Sequence, residues 1–319
     1  MLLSVIIPVY NNSFTLNECI ASFGTADDVE FVVVDDGSDN FIAPTADNVK
    51  VVRCPHRGAA MARNSGVEIA SGRYVWFFDA DDKVRTDVFV DLLKILKSLP
   101  DDADLMHTGA MVELSPKSSD LPQTKVDCSS TRRINSSELF VPQTAYLDHT
   151  TYIVSRCLML ENPSLRYPDH SILEDALFVL LLLQKASNIY VNDTISPYIR
   201  HSNRHSSTSG MWSEDRCSVF VPDICAFFKS FADFLQSHGD ITRGSDCYQR
   251  LRYVYLRVLT VKGCPWPQMR CYREAVLSPT LRGSGLSKAY SIVEWLLYKE
   301  PLCRTLSFAC RKLRRKNCD

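Results

Sequence analysis

Apolar residues in the first hundred positions come in short runs separated by polar punctuation. Val5 to Val9 is one run, stopping at Asn11 and Asn12, and Glu30 to Val34 is another, stopping at Asp35-Asp36-Gly37-Ser38. Runs this short, continuous rather than alternating, predict strands buried on both faces of a parallel sheet. Between them Thr15-Leu16-Asn17-Glu18 has the spacing of a capping box and opens an amphipathic stretch reaching Phe23, which completes a βαβ unit. Val49 to Arg53 predicts a third strand, Ala59 to Ala70 a helix closed by Ser71-Gly72, and Tyr74 to Phe78 a fourth strand ending in Asp79-Ala80-Asp81-Asp82. Thr86 to Leu96 follows as a helix and Ala103 to Thr108 as a further strand. Such alternation argues for an α/β fold, a mixed and mostly parallel sheet flanked by helices. Ligands of these sheets gather at the carboxyl ends of strands, so Asp35-Asp36 and Asp79 to Asp82 are expected to converge on one crevice.

Later segments are less regular. Ser115 to Thr131 is polar, carries Pro116 and Pro122, and reads as a loop. Tyr152 to Ser155 is a short strand candidate and Glu174 to Ala186 a strongly apolar helix. Tyr198 to Gly210, rich in His, Arg and Ser, reads as a loop, and from about Ser213 the pattern is helical and aromatic. There is no internal repeat.

With 319 residues, 45% of them hydrophobic, the chain can bury a large core and has the length of two folded units or of one with a large extension. The longest apolar run, Ala176 to Leu183, is bounded by Glu174, Asp175 and Lys185 and is too short to cross a bilayer. Met1 to Val9 is expected to be a core strand rather than a signal peptide. Twelve cysteines lie scattered from Cys19 to Cys318 with no CxxC pair, which predicts reduced thiols in a cytosolic protein and argues against a structural zinc site. The net charge of −1 conceals an asymmetry: Met1 to Gly210 has 18 Lys and Arg against 27 Asp and Glu, whereas Met211 to Asp319 has 18 against 10. Acidic groups suit a divalent cation; clustered basic ones suit phosphate or anionic lipid.

Three constellations carry candidate chemistry. The carboxylates of Asp79, Asp81 and Asp82 repel one another, and a bound Mg2+ or Mn2+ relieves that repulsion. Such hard cations take one or two carboxylates together with substrate phosphates. The alternative is a solvated turn with a helix-capping aspartate. Asp35 or Asp36, next to Gly37, could accept hydrogen bonds from a base or ribose, although Asp-Gly is also a common turn. In Gly58 to Gly66, small residues at a helix start allow close packing; Arg63 could meet phosphate oxygens, or equally pair with one of the aspartates.

Taken together, Ser4-Val-Ile-Ile-Pro-Val-Tyr-Asn11, Val34-Asp-Asp-Gly-Ser-Asp39, Ala62-Arg-Asn-Ser-Gly66 and Phe77-Phe-Asp-Ala-Asp-Asp82 resemble, in order and spacing, the family 2 glycosyltransferases of the GT-A fold. The resemblance implies an inverting transfer of sugar from a nucleotide diphosphate donor, a UDP-sugar by the same resemblance. It further implies that Pro8, Tyr10 and Asn11, with Asp35 or Asp36 and Arg63, line the nucleotide site. Asp79 and Asp81 match the family's DxD, Asp81 as the direct ligand of Mn2+ or Mg2+ and Asp79 as the ribose or metal-water contact. Leu173-Glu174-Asp175-Ala176 is similar to the family's ED motif. An inverting transfer needs a base for the acceptor hydroxyl, which assigns Asp175 as the base and Glu174 to orienting the acceptor. The bland alternative is that both complement a helix dipole. Tyr198 to Thr208 resembles a Tyr- and Arg-rich loop near the donor pyrophosphate, with Arg200, His201, Arg204 and His205 as candidate contacts.

The resemblance ends near residue 210, which divides the chain into a 1–210 catalytic domain and a helical, basic 211–319 region for acceptor or membrane contact. Trp295 to Tyr298 and Leu302 to Cys310 are apolar and lead into Arg311-Lys312-Leu313-Arg314-Arg315-Lys316. A basic, aromatic-bearing helix can lie on an anionic surface, each Lys or Arg contributing about 1 kcal/mol. The expected partners are therefore the donor, a glycan or lipid-linked acceptor, and a membrane surface approached from the cytoplasm. Nucleic acid is not expected, since no recognised module accompanies the basic residues. A sugar-1-phosphate nucleotidyltransferase is the nearest rival, but Val9 to Ser13 is not the glycine-rich basic loop those enzymes carry. A dinucleotide oxidoreductase lacks its GxGxxG here, and Asp79, Asp81 and Asp175 speak against a non-catalytic binding module.

Overall fold

The computed structural model describes residues 1–25, 27–109, 112–114, 125–141, 144–145, 147–169, 172–201, 217–237, 248, 251, 255, 259, 264 and 266–276. They form two compact units, one of residues 1–136, 146–169 and 174–203, the other of the described residues within 137–145, 170–173 and 204–319.

The first unit begins as the apolar runs predict. Strands β1 (Leu3–Val9), β2 (Val29–Asp35), β3 (Val49–Arg53) and β4 (Tyr74–Phe77) are joined by helices α1 (Ser13–Ser22) and α2 (Ala59–Ile69). Lys83–Val84 is a short β5, followed by α3 (Thr86–Ser98), β6 (Leu105–Thr108), β7 (Val112–Leu114) and β8 (Arg132–Ile134). After β9 (Phe140–Val141) and β10 (Thr144–Ala145), a hairpin in the second unit, come β11 (Tyr152–Ser155), α4 (Arg156–Glu161), α5 (Glu174–Lys185), β12 (Ile189–Asn192) and β13 (Tyr198–His201).

Eight strands make the main sheet in the order β3-β2-β1-β4-β11-β6-β12-β8. The pairs β3–β2, β2–β1, β1–β4 and β6–β12 are parallel, while β11 runs antiparallel to both its neighbours and β8 antiparallel to β12. β13 sits between β5 and β7 in a separate three-stranded sheet. Every residue of β2 and β4 is buried, as expected of central strands whose two faces are both covered. α2 lies close on β1: a Cβ added at Gly66 would stand 2.4 Å from Ile6 Cγ2, so only glycine admits this approach.

Two expectations need correction. The first helix starts at Ser13, with Asn12 at its cap; Thr15 Oγ1 donates to the Asn12 carbonyl, and Glu18 pairs with Lys83, so the apparent capping box is not one. Because the helix begins two residues earlier, Thr15 falls inside its first turn rather than at the cap. Tyr198 to His201 is a strand rather than loop, because β5 and β7 supply partners that no local pattern reveals. β12 has no counterpart in the pattern reading.

The second unit is mainly helical where described. α6 (Cys217–Ser237) buries Phe220, Ile224, Phe227, Phe228 and Phe231, and the helix Trp266–Val276, α7, packs on it through Tyr272, whose ring lies 6.0 Å from that of Phe228.

Candidate active site

Because β1, β2 and β4 are parallel and in direct register, Val9 opposite Asp35 and Ile6 opposite Phe77, the turns after β2 and β4 emerge at one edge of the sheet. Asp36 and the Asp79 to Asp82 turn are therefore on the same edge, as the strand pattern requires.

The loops after β1 and β2 are laced together. Asn11, in the left-handed region at φ 51°, donates its N–H to Ser38 Oγ at 2.8 Å, and its Oδ1 accepts the Asp39 N–H at 3.0 Å. Asp35 is fully buried, accepting the Ser38 N–H at 3.0 Å and pairing with Arg53 Nε at 3.1 Å. Asp36 accepts the N–H groups of Arg57 and Gly58 at 2.9 and 2.8 Å, and its Oδ2 lies 2.8 Å from His56 Nδ1. Gly37 has φ 78°, and a Cβ there would meet the His56 amide at 2.8 Å, so this turn demands glycine. His56, absent from the sequence-derived candidates, stacks on the half-exposed Tyr10 ring at 4.0 Å and 18°. Pro8 lies within β1 beneath this loop. Both aspartates thus shape the loops after β1 and β2 through their carboxylates.

The acidic turn is held from three sides. Asp82 is buried and accepts the Tyr198 hydroxyl at 2.7 Å, while the Asp79 N–H donates to that same hydroxyl oxygen at 3.3 Å. Cys19 Sγ donates to the Asp79 carbonyl at 3.6 Å; burial, then Asp82, Asp79 and Asp81, keep this thiol protonated. Arg63 Nη2 donates to Asp79 Oδ1 at 2.8 Å. Asp81, partly buried, completes the turn. Among the described residues no group of three or more His, Cys, Asp or Glu side chains is gathered to hold a metal ion. The donor set is instead two partly exposed carboxylates at a strand end, which suits Mg2+ or Mn2+ completed by substrate phosphates rather than an all-protein cage.

Arg63 also reaches the ED motif. Its Nη1 stands 3.7 Å from Glu174 Oε1 in the first turn of α5, and its guanidinium lies over the Tyr167 ring, 5.3 Å from the centroid. Burial opposes the charge of Arg63, but Asp79, Tyr167 and Glu174 more than offset this and hold it protonated. Tyr167 is itself stacked on Phe178 at 4.1 Å. Beside Glu174, Asp175 lies 4.0 Å from Nδ1 of the buried His149, in a turn that Trp76 fixes by donating Nε1–H to the Thr150 carbonyl at 2.8 Å. Lost hydration, then the charges of Glu174 and Asp148, push the Asp175 carboxyl up to about 7. His149, Asp148 and Tyr167 carry no sequence signal of their own, although Tyr167 falls in the Leu165 to Pro168 segment flanking the ED motif.

Arg200 and His201 lie on β13, paired through their backbones with Glu113 and Leu114. Arg204 and His205 lie outside the described residues.

A mixed sheet of this order, with an acidic turn after its fourth strand facing an acidic helix start, defines a GT-A domain. Residues 4–112 match the model of glycosyl transferase family 2. An uncharacterized glycosyltransferase of Escherichia coli K12, YibD, is 38% identical over 117 residues, covering 34% of this chain and 33% of that protein. The poly(ribitol-phosphate) beta-glucosyltransferase of Bacillus spizizenii W23 is 24% identical over 271 residues, 76% of this chain and 41% of its own length. The chain thus spans less than two thirds of the length of the curated relatives it matches. The crystal structure of Staphylococcus aureus TarS 1–349 shares the fold at a TM-score of 0.67 and 19% identity, covering 98% of this chain and 92% of that one, and TarS has also been solved in complex with UDP-GlcNAc.

Proposed function

We propose that this protein is an inverting glycosyltransferase that moves a sugar from a nucleotide diphosphate donor, a UDP-sugar, to a hydroxyl of a glycan or lipid-linked acceptor in polysaccharide assembly. The observation that carries this reading is the convergence of Asp79 and Glu174, 95 positions apart, on the single guanidinium of Arg63. The UDP-GlcNAc complex of TarS supports the choice of a uridine donor.

In this reading the Tyr10 and Asn11 loop, held against the Asp36 turn, binds the nucleotide, with Pro8, Asp35 and Arg63 shaping its walls. Asp79 and Asp81 would hold Mn2+ or Mg2+, which supplies charge neutralisation for the departing diphosphate. Arg200, His201 and Arg204 are the proposed positive contacts for that leaving group. Asp175 takes the proton of the acceptor hydroxyl as its oxygen attacks the anomeric carbon; a carboxyl with a pKa of about 7 is matched to that task at neutral pH. Glu174 orients the acceptor. Hydrolysis of a UDP-sugar in the presence of Mn2+, lost in Asp81→Ala with UDP-independent melting unchanged, tests the assignment; hydrolysis unaffected by that substitution would refute it.

The proposed division is a catalytic domain over residues 1–210 and an acceptor- or membrane-contacting region over 211–319. Among the described residues no helix is long and apolar enough to cross a membrane, and Arg311 to Lys316 lie outside them. Peripheral attachment to the cytoplasmic face through that basic run is part of the proposal. Co-sedimentation with anionic liposomes that is equal with and without the run would remove this part.

A further inference from the structure

Two carboxylates compete for one buried guanidinium. Arg63 Nη2 is hydrogen-bonded to Asp79 at 2.8 Å, while Nη1 lies 3.7 Å from Glu174 Oε1, and among the described residues Nη1 and Nε have no hydrogen-bond partner. The side chain is only 6% exposed, so bulk water does not replace the missing bonds. A guanidinium carries its five donors in one rigid plane; a rotation that lengthens the bond to Asp79 is one that can close the gap to Glu174. Tyr167 packs against the guanidinium, with Cζ 5.3 Å from the ring centroid, a contact that a small rotation of the group retains. The helix bearing Arg63 is immobilised by Gly66 packed on β1 and by Asn64 bonded to the Tyr167 backbone, so the side chain rather than the helix must respond.

We infer that Arg63 couples the donor and acceptor halves of the site: when a cation and the diphosphate it carries engage Asp79, the guanidinium transfers its hydrogen bonding to Glu174 and fixes the ED turn for the acceptor. Arg63 is then a positioning residue, and donor binding readies the acceptor side. This rests on the transferase reading above. Linkage makes the effect reciprocal: whatever draws Arg63 toward Glu174 must also favour cation and diphosphate at Asp79.

The test is UDP affinity in the presence of Mn2+, measured by titration calorimetry in the full chain for wild type, Glu174→Gln, Arg63→Lys and the double variant. Glu174→Gln leaves the guanidinium wholly to Asp79 and is expected to weaken UDP binding at least about fivefold. In the Arg63→Lys background the same change is expected to cost less than about twofold, since a lysine ammonium is a point charge that cannot bridge both sides. Equal shifts in both backgrounds mean that Glu174 acts on the cation by direct field alone, and overturn the coupling; so does no shift in the Arg63 background. Should Arg63→Lys fail to fold, the Arg63 guanidinium N–H resonances decide: they are expected to move on adding UDP with Mg2+ in wild type and to stay put in Glu174→Gln, and equal movement in both overturns the inference. Wild type that binds no UDP at all defeats the transferase reading and the coupling together, whereas UDP binding with additive shifts defeats the coupling only.

Discussion

Asn64 holds Tyr167 by two hydrogen bonds at once, its Nδ2 donating to the Tyr167 carbonyl and its Oδ1 accepting the Tyr167 N–H, both at 2.9 Å. The side-chain amide acts as a surrogate backbone partner for a segment that belongs to no strand. Tyr167 is thereby set between Phe178 and Arg63, and the ring becomes the floor on which the arginine rests. Adjacent residues of one helix thus perform separate tasks, Arg63 gripping carboxylates and Asn64 fixing what lies beneath it.

Asn64→Ala removes both bonds and leaves two backbone groups without these partners. A loss of about 2 kcal/mol in unfolding free energy is expected, read from denaturant midpoints at constant m-value. Turnover should fall by more than UDP affinity, because the ED side is displaced while the nucleotide loop is untouched.

Tyr198→Phe keeps the ring against Phe78 and deletes only the hydroxyl that Asp82 accepts. A buried carboxylate deprived of such a bond costs about 1.5–3 kcal/mol, and the acidic turn loses its anchor to β13. Weaker binding of Mn2+ with UDP, in protein that is still folded at 25 °C, is the expected calorimetric result.

Asp175 ionises at about 7, and a base must be ionised to act, so initial rates are expected to rise with pH through neutrality and level off above it. Asp175→Asn should abolish turnover and retain UDP binding. For stability the sign is opposite: a folded-state pKa above the unfolded value of 3.8 gives a contribution fully present below pH 3.8 and lost as pH rises through about 7. Asp175→Asn should therefore melt above wild type at pH 8, the difference vanishing toward pH 4.

Glu30 makes the converse case at the opposite end of the sheet. Burial alone would raise its pKa, but hydrogen bonds from Lys50, Ser4 and Ser71 outweigh burial and bring it down to about 2. Its contribution is present above the unfolded value of 4.5 and lost as pH falls toward 2. Glu30→Gln is expected to destabilise by on the order of 2–3 kcal/mol at pH 7 and by progressively less in acid, with turnover per folded molecule unchanged.

The convergence of the two acidic groups on one edge was legible in the chain because it needs only strand identity and parallel pairing. Asp175, Glu174, Asp79 and Asp81 could be nominated because a motif order is a property of sequence. His149, Asp148 and Asn64 could not be nominated as participants: Asn64 and Tyr167 are 103 positions apart, and nothing at either one announces the other. The same holds for Glu18, which accepts a hydrogen bond from Lys83, 65 residues away.

Short continuous apolar runs, glycines at forced turns and clustered carboxylates are local facts, and local facts settle strands, turns and the chemical type of a ligand. Which partner a buried charge takes depends on what three-dimensional packing brings within a few ångströms, because electrostatic and hydrogen-bond energies fall off with distance in space and ignore distance along the chain. So the α/β class and the acidic edge belonged to the sequence, while the sharing of Arg63 between Asp79 and Glu174, and the raised pKa of Asp175, were decided only when β4, α2 and α5 came together.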